Sequence, residues 1–287
     1  MPVTHAPIGV FDSGVGGLSV LAALRAELPH EHFVYFADTA YAPYGERGDA
    51  YVIDRSRKVI EHLVREHRIK ALVIACNTAT TAAVHLMRAE NPDLPIVGLE
   101  PALKPAVAVS RTGHISVMAT RGTLASAKYA ALRDTFAGSA DVRSVPCDGL
   151  VKAIEGMDTP AIAALCARYM AEAGPFGEAS GEVDTVVLGC THYPLVKDEL
   201  RRHAPATLRF IDTGLPVAQQ TRRLLASAGL LADEHGTPRG SLRLESSGHV
   251  AVLEAAAAHW LQGPSQGPSQ GLPAPAAPLA PSTATTA

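Results

Sequence analysis

Short runs that are apolar on every position alternate along this chain with segments of helical periodicity, and that alternation leaves few folds open. A strand apolar on both sides must be covered on both sides. Strands of this kind, each followed by a helix, fold as parallel sheets with helices packed on either face. The apolar runs predict strands over 7–12, 32–38, 70–76, 94–99, 114–120, 141–147, 183–190, 208–212 and 241–246. Periodic apolar positions predict helices over 16–28, 51–67, 78–90, 160–173, 216–228 and 249–261. In sheets of this type ligands bind in the crevice beyond the strand C-termini, so the residues that follow each strand are the ones to read for chemistry.

The pattern occurs twice. IGVFDSGVGG (8–17) and ISVMATRGT (115–123) each end a strand in small polar residues before a helix. ALVIACNTAT (71–80) and TVVLGCTHYP (185–194) each end a strand in a cysteine. The chain therefore divides into two related α/β halves of about 100 residues each. The boundary is expected near residues 99–105, where Pro101 and Pro105 punctuate, with a return to the first half near Asp212. This assigns 1–99 plus 212–262 to a first domain and 100–211 to a second. From Gly263 the text turns to GPSQ repeats, proline and alanine, and residues 263–287 are expected to form a disordered tail.

Composition narrows the partners. Lys plus Arg total 25 against 28 Asp plus Glu, a formal charge of -3, which offers no footprint for nucleic acid. No run reaches the roughly 18 apolar residues of a membrane helix, so no membrane association is expected. The N-terminus lacks the basic and apolar regions of a signal peptide, and a cytoplasmic location is the expectation. Four cysteines, at 76, 147, 166 and 190, form neither a CxxC pair nor a zinc-spaced cluster, so no metal site is expected.

A cysteine closing an apolar strand is most often a small core residue. Cys76 and Cys190 differ because they stand in matched contexts, followed by Asn77 and Thr78 in one half and by Thr191 and His192 in the other. At the positive end of a helix, backbone N–H groups are expected to lower the thiol pKa below its ordinary value. Cys147 and Cys166 lack the polar sequel and are read as packing residues. In FDSGVGGLS, the glycines serve a strand-to-helix turn where φ > 0 is needed, while Asp12 and Ser13 bring a carboxylate and a hydroxyl to the crevice. The N–H groups of residues 14–17 are placed to receive a ligand carboxylate. In ADTAYAPYGERG, Tyr44 and Gly45 either wall a small ligand or belong to an ordinary surface loop. Alone, His192 would be a hydrogen-bonded structural histidine; two residues from Cys190 it is also a candidate acid or base. The spacing matches neither a dinucleotide fingerprint nor a P-loop, and no lysine in these motifs is placed for a pyridoxal Schiff base, so no cofactor is expected.

Two symmetric thiols across one crevice fit a two-base inversion at carbon, which needs an acid and a base on opposite faces of one atom. Two other readings stand beside it. One is a one-base proton transfer or decarboxylation, whose mark would be a single cysteine in the matched pair. The other is a binding protein without catalysis, whose affinity would survive loss of both thiols.

GVFDSGVGGLSVL, YFADTAYAPYGER, VIACNTATTA, PIVGLEPALKPAV, MATRGT and VLGCTHYPL together resemble the cofactor-independent aspartate/glutamate racemase family, and within it the glutamate racemases, over residues 7–262. The resemblance implies two parallel-sheet, flavodoxin-like α/β domains with the active site between them. It implies cofactor-independent conversion of L-glutamate to D-glutamate for peptidoglycan, with glutamate as the small-molecule partner. It places the catalytic pair on Cys76 and Cys190 and substrate contacts on Asp12, Ser13, Tyr44, Gly45, Asn77, Thr78, Thr191 and His192. Thr120 and Thr123 match a further threonine pair, and Glu155, in KAIEG, matches an acidic position, although Asp148 stands upstream where the pattern has proline. Dimers are common in the family, so a homodimer is compatible with the resemblance. Glutamate over aspartate rests on resemblance, because one methylene is worth only about 1–3 kcal/mol of discrimination.

Overall fold

The computed structural model describes residues 3–233 and 239–261, and the tail expected over 263–287 lies outside them. The first half runs β1 (Ile8–Asp12), α1 (Leu18–Glu27), β2 (Phe33–Ala37), α2 (Asp49–His67), β3 (Ala71–Ile74), α3 (Asn77–Glu90) and β4 (Ile96–Gly98). The second runs α4 (Leu103–Val109), β5 (His114–Ala119), α5 (Arg121–Ala125), α6 (Ala127–Asp134), β6 (Asp141–Pro146), α7 (Leu150–Glu155), α8 (Thr159–Ala173), β7 (Thr185–Leu188), α9 (Lys197–Arg201) and β8 (Arg209–Ile211). The described chain closes with α10 (Gly214–Ser227), β9 (Leu242–Ser246) and α11 (Val250–Trp260).

All nine expected strands form, and every pairing between them is parallel. They make two sheets, one ordered β4-β3-β1-β2-β9 and one ordered β6-β5-β7-β8. Without β9 the first order is the second read backwards, with β1, β2, β3 and β4 answering to β5, β6, β7 and β8. The two related halves therefore share one topology, with a switch point between β1 and β3 and again between β5 and β7. That is where such sheets open a ligand crevice. The thiol-bearing chain leaves β3 in one half and β7 in the other.

Both faces of the first sheet are covered, as continuous apolar strands require. Ile8, Val10 and Val73 face a core shared with α1, α10 and α11, while Phe11, Leu72 and Ile74 face one shared with α2 and α3. Beyond β2, β9 is an edge strand, each of its residues half-buried. Among the helices, α4, α5, α6, α7 and α9 do not follow from the sequence pattern. None exceeds eight residues, too short to carry a periodic apolar stripe. The helix expected from residue 16 begins at Leu18, with Gly17 as its N-cap.

Candidate active site

The loop leaving β1 is where the two halves meet. Asp12 is buried and accepts the Gly17 N–H at 2.7 Å. Burial pushes its carboxyl up to about 6, although the nearby His192 pulls the other way. The Tyr35 hydroxyl, reaching up from β2, donates to the Gly14 carbonyl at 2.8 Å and fixes the turn from below. Ser13 places its Oγ 3.6 Å from Cys76 Sγ.

Cys76 caps α3, its sulfur accepting the Ala79 N–H at 3.5 Å. The helix end was expected to lower this thiol's pKa. In the structure burial, followed by the Asp12 charge, pushes it up to about 12, against the opposing pull of the Ala79 and Ser13 hydrogen bonds. These weak hydrogen bonds to sulfur do not offset removal of a thiolate from water.

On the other side, Cys190 Sγ lies 3.7 Å from His192 Nδ1, and His192 Nε2 lies 2.6 Å from Glu155 Oε1. Burial alone would lower the His192 pKa. The hydrogen bonds to Cys190 and Glu155 outweigh it and raise the imidazole well above its ordinary value. Glu155 is shifted oppositely: burial raises it, but the bond to His192 and the Val15 N–H at 3.0 Å leave it lower than usual. A thiol, an imidazole and a carboxylate thus stand in one line, ending on the glycine loop of the opposite half.

That contact explains the glycines differently from the turn argument. None of Gly14, Gly16 and Gly17 has a positive φ. A Cβ at Gly14 would overlap the Glu155 carboxylate, one at Gly16 would overlap the His192 ring, and one at Gly17 would come within 2.8 Å of Asp12 Cβ and Tyr35 Oη. Glycine is present for close approach, between the halves at Gly14 and Gly16 and within the first half at Gly17. For the same reason the loop is not an open cradle for a ligand carboxylate, since the N–H groups of Val15 and Gly17 already bond Glu155 and Asp12. Ser19 adds a further tie, donating to the Thr191 carbonyl at 2.7 Å.

Asn77 follows Cys76 with both amide atoms buried and without a partner in the ligand-free structure. Leaving both unmet costs free energy unless a ligand or water satisfies them. Asn77 and Thr123 line a cavity of 240 Å³. Thr78 is half-buried, its hydroxyl 3.8 Å from where a Gly45 side chain would begin, and the Gly45 carbonyl lies against Gly122 at the start of α5. Gly45 therefore does sit where the halves meet. Tyr44 is buried, and its hydroxyl is committed to Asp38 at 2.5 Å, where Arg55 pairs with both carboxylate oxygens. It contributes its ring and backbone to a wall, with no free hydroxyl. Thr120 caps α5, its Oγ1 3.0 Å from that of Thr123. Thr191 is buried, its hydroxyl against Gly16.

Cys147 and Cys166 lie in the second half's core, packed with residues such as Leu150 and Tyr169. Lys70 is a buried ion partner of Glu31 at 2.5 Å, away from the crevice. Glu155 was marked in the sequence only by KAIEG within a departing motif, and the Asp38–Arg55 pair carried no signal at all. Both are long-range contacts that spacing along the chain does not register.

Two parallel-sheet α/β halves of one topology, meeting at their switch points, are an architecture shared with solved racemases, and the matches to known proteins place the chain in the racemase class of isomerases. The chain belongs to the Asp/Glu/hydantoin racemase family, whose model matches residues 17–221. It is 46% identical over 257 residues to the glutamate racemase of Ectopseudomonas mendocina (strain ymp), covering 89% of this chain and 94% of the relative. Among solved structures, the glutamate racemase isoform RacE1 of Bacillus anthracis superposes with a TM-score of 0.78 at 30% identity, covering 90% of this chain and 94% of that one. The Francisella tularensis glutamate racemase, solved with D-glutamate, gives a TM-score of 0.74 at 26% identity, covering 91% and 95%.

Proposed function

We propose that this protein interconverts L- and D-glutamate without a cofactor, Cys76 and Cys190 standing on opposite faces of the α-carbon. One observation carries the reading. A single loop serves both thiols, through Ser13 for Cys76 and through its packing on His192 and Glu155 for Cys190. Glutamate, rather than another amino acid, rests on the names of the relatives and on the D-glutamate bound in the Francisella tularensis structure.

In one direction a thiolate takes the α-proton, the electron pair stays on the α-carbon and its carboxylate, and the opposite thiol returns a proton to the other face. The reverse reaction exchanges the roles. Around Cys76, Asp12 is the group whose ionisation is set to respond near neutrality. Around Cys190, the imidazolium of His192, fixed by Glu155, stabilises a thiolate. Asn77 offers its unmet amide to a substrate carboxylate, and the Thr78 and Thr191 hydroxyls are further donors. The substrate's ammonium supplies the positive charge that the buried Cys76 thiolate lacks. Closing the halves, 1–99 with 212–262 and 100–211, on glutamate would exclude water from the carbanion. The D-glutamate would supply peptidoglycan precursors in the cytoplasm.

The test is circular dichroism of purified protein with L-glutamate, and separately L-aspartate, with no added cofactor. Decay of the glutamate signal to zero is expected. A signal that persists with glutamate, or that decays for aspartate alone, overturns the proposal.

A further inference from the structure

Far from the crevice thiols, two histidines of α2 and a glutamate of β9 converge on one point. His62 Nε2 and His67 Nε2 each lie 3.0 Å from the same oxygen of Glu245, Oε2. The three donor atoms all fall within 4.8 Å of one another, and among the described residues this is the one group of its kind. Helical spacing does not bring this about. Positions five apart are about 140° apart round an α-helix, so the two side chains must both be drawn toward β9. His67 is the last residue of α2, and Arg68 after it turns left-handed, with φ 49 and ψ 46.

We propose that His62, His67 and Glu245 bind one divalent transition-metal ion of the zinc type, which clips α2 to the edge strand β9. Two imidazole nitrogens and a carboxylate oxygen, with a fourth position left for water, form a donor set that zinc accepts. Tetrahedral bonds of about 2.0–2.2 Å put ligand atoms about 3.4 Å apart, so the two 3.0 Å edges need open by only tenths of an ångström. Arg243 Nε stands 2.7 Å from the second carboxylate oxygen, Oε1, as an ion pair without a hydrogen bond, while Oε2 is the oxygen turned to both imidazoles. The site is sheltered but reachable, with the His62, His67 and Glu245 side chains 13%, 10% and 11% exposed. The Phe36 ring packs on His62 at 5.2 Å between centroids and limits its swing. An imidazole that donates from Nε2 to Glu245 must free that nitrogen of its proton, to Nδ1 or to solvent, before it can ligate.

The clip would act on architecture, not on the proton transfer, and the inference is independent of the racemase reading. Among the described residues, β9 joins its sheet only through β2. Just past Glu245, Ser246 Oγ lies 2.7 Å from Thr39 Oγ1, and the Ala40 N–H donates to Ser247 Oγ at 3.2 Å. These bonds anchor the loop that runs on to Tyr44 and Gly45.

Chelator-treated full-length protein titrated with zinc chloride tests this, with cobalt(II) chloride as an absorption probe. One equivalent per chain is expected, a raised Tm, and cobalt d–d bands without thiolate charge transfer. Binding should persist in the Cys76→Ser/Cys190→Ser double variant. It should weaken by at least about tenfold in His67→Ala and Glu245→Gln, since even residues that only support a ligand cost 10–100-fold. Wild-type stoichiometry needs no variant and decides the matter if His67→Ala does not fold. Absence of a stoichiometric site in the wild type, or binding lost with the thiols and kept in His67→Ala, overturns the proposal and leaves an ion triad only.

Discussion

Replacing Glu155 by glutamine isolates the charge that holds His192. The glutamine side chain has the same shape, so its carbonyl oxygen can still accept from His192 Nε2 and from the Val15 N–H, at the present 2.6 and 3.0 Å. What disappears is the negative charge. A hydrogen bond to a charged group contributes about 1.5–3 kcal/mol and a neutral one about 0.5–1.5, a difference of about 1–1.5 kcal/mol. That corresponds to roughly one pKa unit for the imidazole. Because Glu155 is among the groups raising His192, its loss moves the imidazole's titration down toward the ordinary range. If the His192 imidazolium stabilises the Cys190 thiolate, the alkaline limb of the kcat/KM profile should move about one pH unit lower. At pH values above the displaced limb the rate should fall by about tenfold. The decay of the L-glutamate dichroism signal across a pH series measures both. The thermal transition near neutrality serves as a check that the halves still pack. An unchanged alkaline limb with wild-type turnover would refute the assignment of His192 and Glu155 to the Cys190 side.

Asp12→Asn should stabilise the ligand-free protein while lowering turnover. The rise of this carboxyl from its ordinary 3.8 to about 6 corresponds to about 3 kcal/mol of penalty, absent below pH 4 and fully present above pH 6. The folded state binds more protons across that window, so wild-type stability falls there as pH rises. A higher Tm for the variant at pH 7.5 and parity at pH 4 are expected, and parity at both would refute it. Gly16→Ala pushes the His192 ring and the Thr191 hydroxyl aside and should cost roughly a hundredfold in kcat/KM with the fold retained; an active variant would show that the close approach is dispensable. Cys76→Ala and Cys190→Ala should each abolish racemisation in both directions, whereas Cys147→Ala and Cys166→Ala keep most activity with a lowered Tm. Near-wild-type racemisation by Cys190→Ala would end the two-thiol assignment. In heavy water, stopped early from L-glutamate, the D-glutamate should carry α-deuterium and the remaining L-glutamate almost none. Mass spectrometry of the separated enantiomers reads this, and equal label in both, or protium-bearing D-glutamate in large yield, would contradict thiols on opposite faces.

The strands, their parallel pairing and the doubled half were legible in the amino-acid text, because hydrophobic periodicity is local and a buried parallel strand must be apolar on both sides. The candidate thiols were legible too, since a crevice of this fold lies at strand C-termini and Cys76 and Cys190 each follow one. Assembly in three dimensions was needed for the rest. Glu155, 37 residues from His192 along the chain, meets it only because α7 and the loop after β7 face the same glycine turn. FDSGVGG reads as a flexible turn in one dimension and proves to be a packing surface, since the atoms that exclude a Cβ at Gly14 and Gly16 come from the other half. Tyr44 reads as a ligand wall or a surface-loop residue, and the structure buries it with its hydroxyl committed to Asp38, which Arg55 also holds. The direction of the Cys76 pKa does not follow from the helix end alone, because capping is a neighbour effect while desolvation sums over everything packed round the sulfur. Local pattern sets which element each residue joins; ionisation and close contact depend on groups far away in sequence, and only folding brings those together.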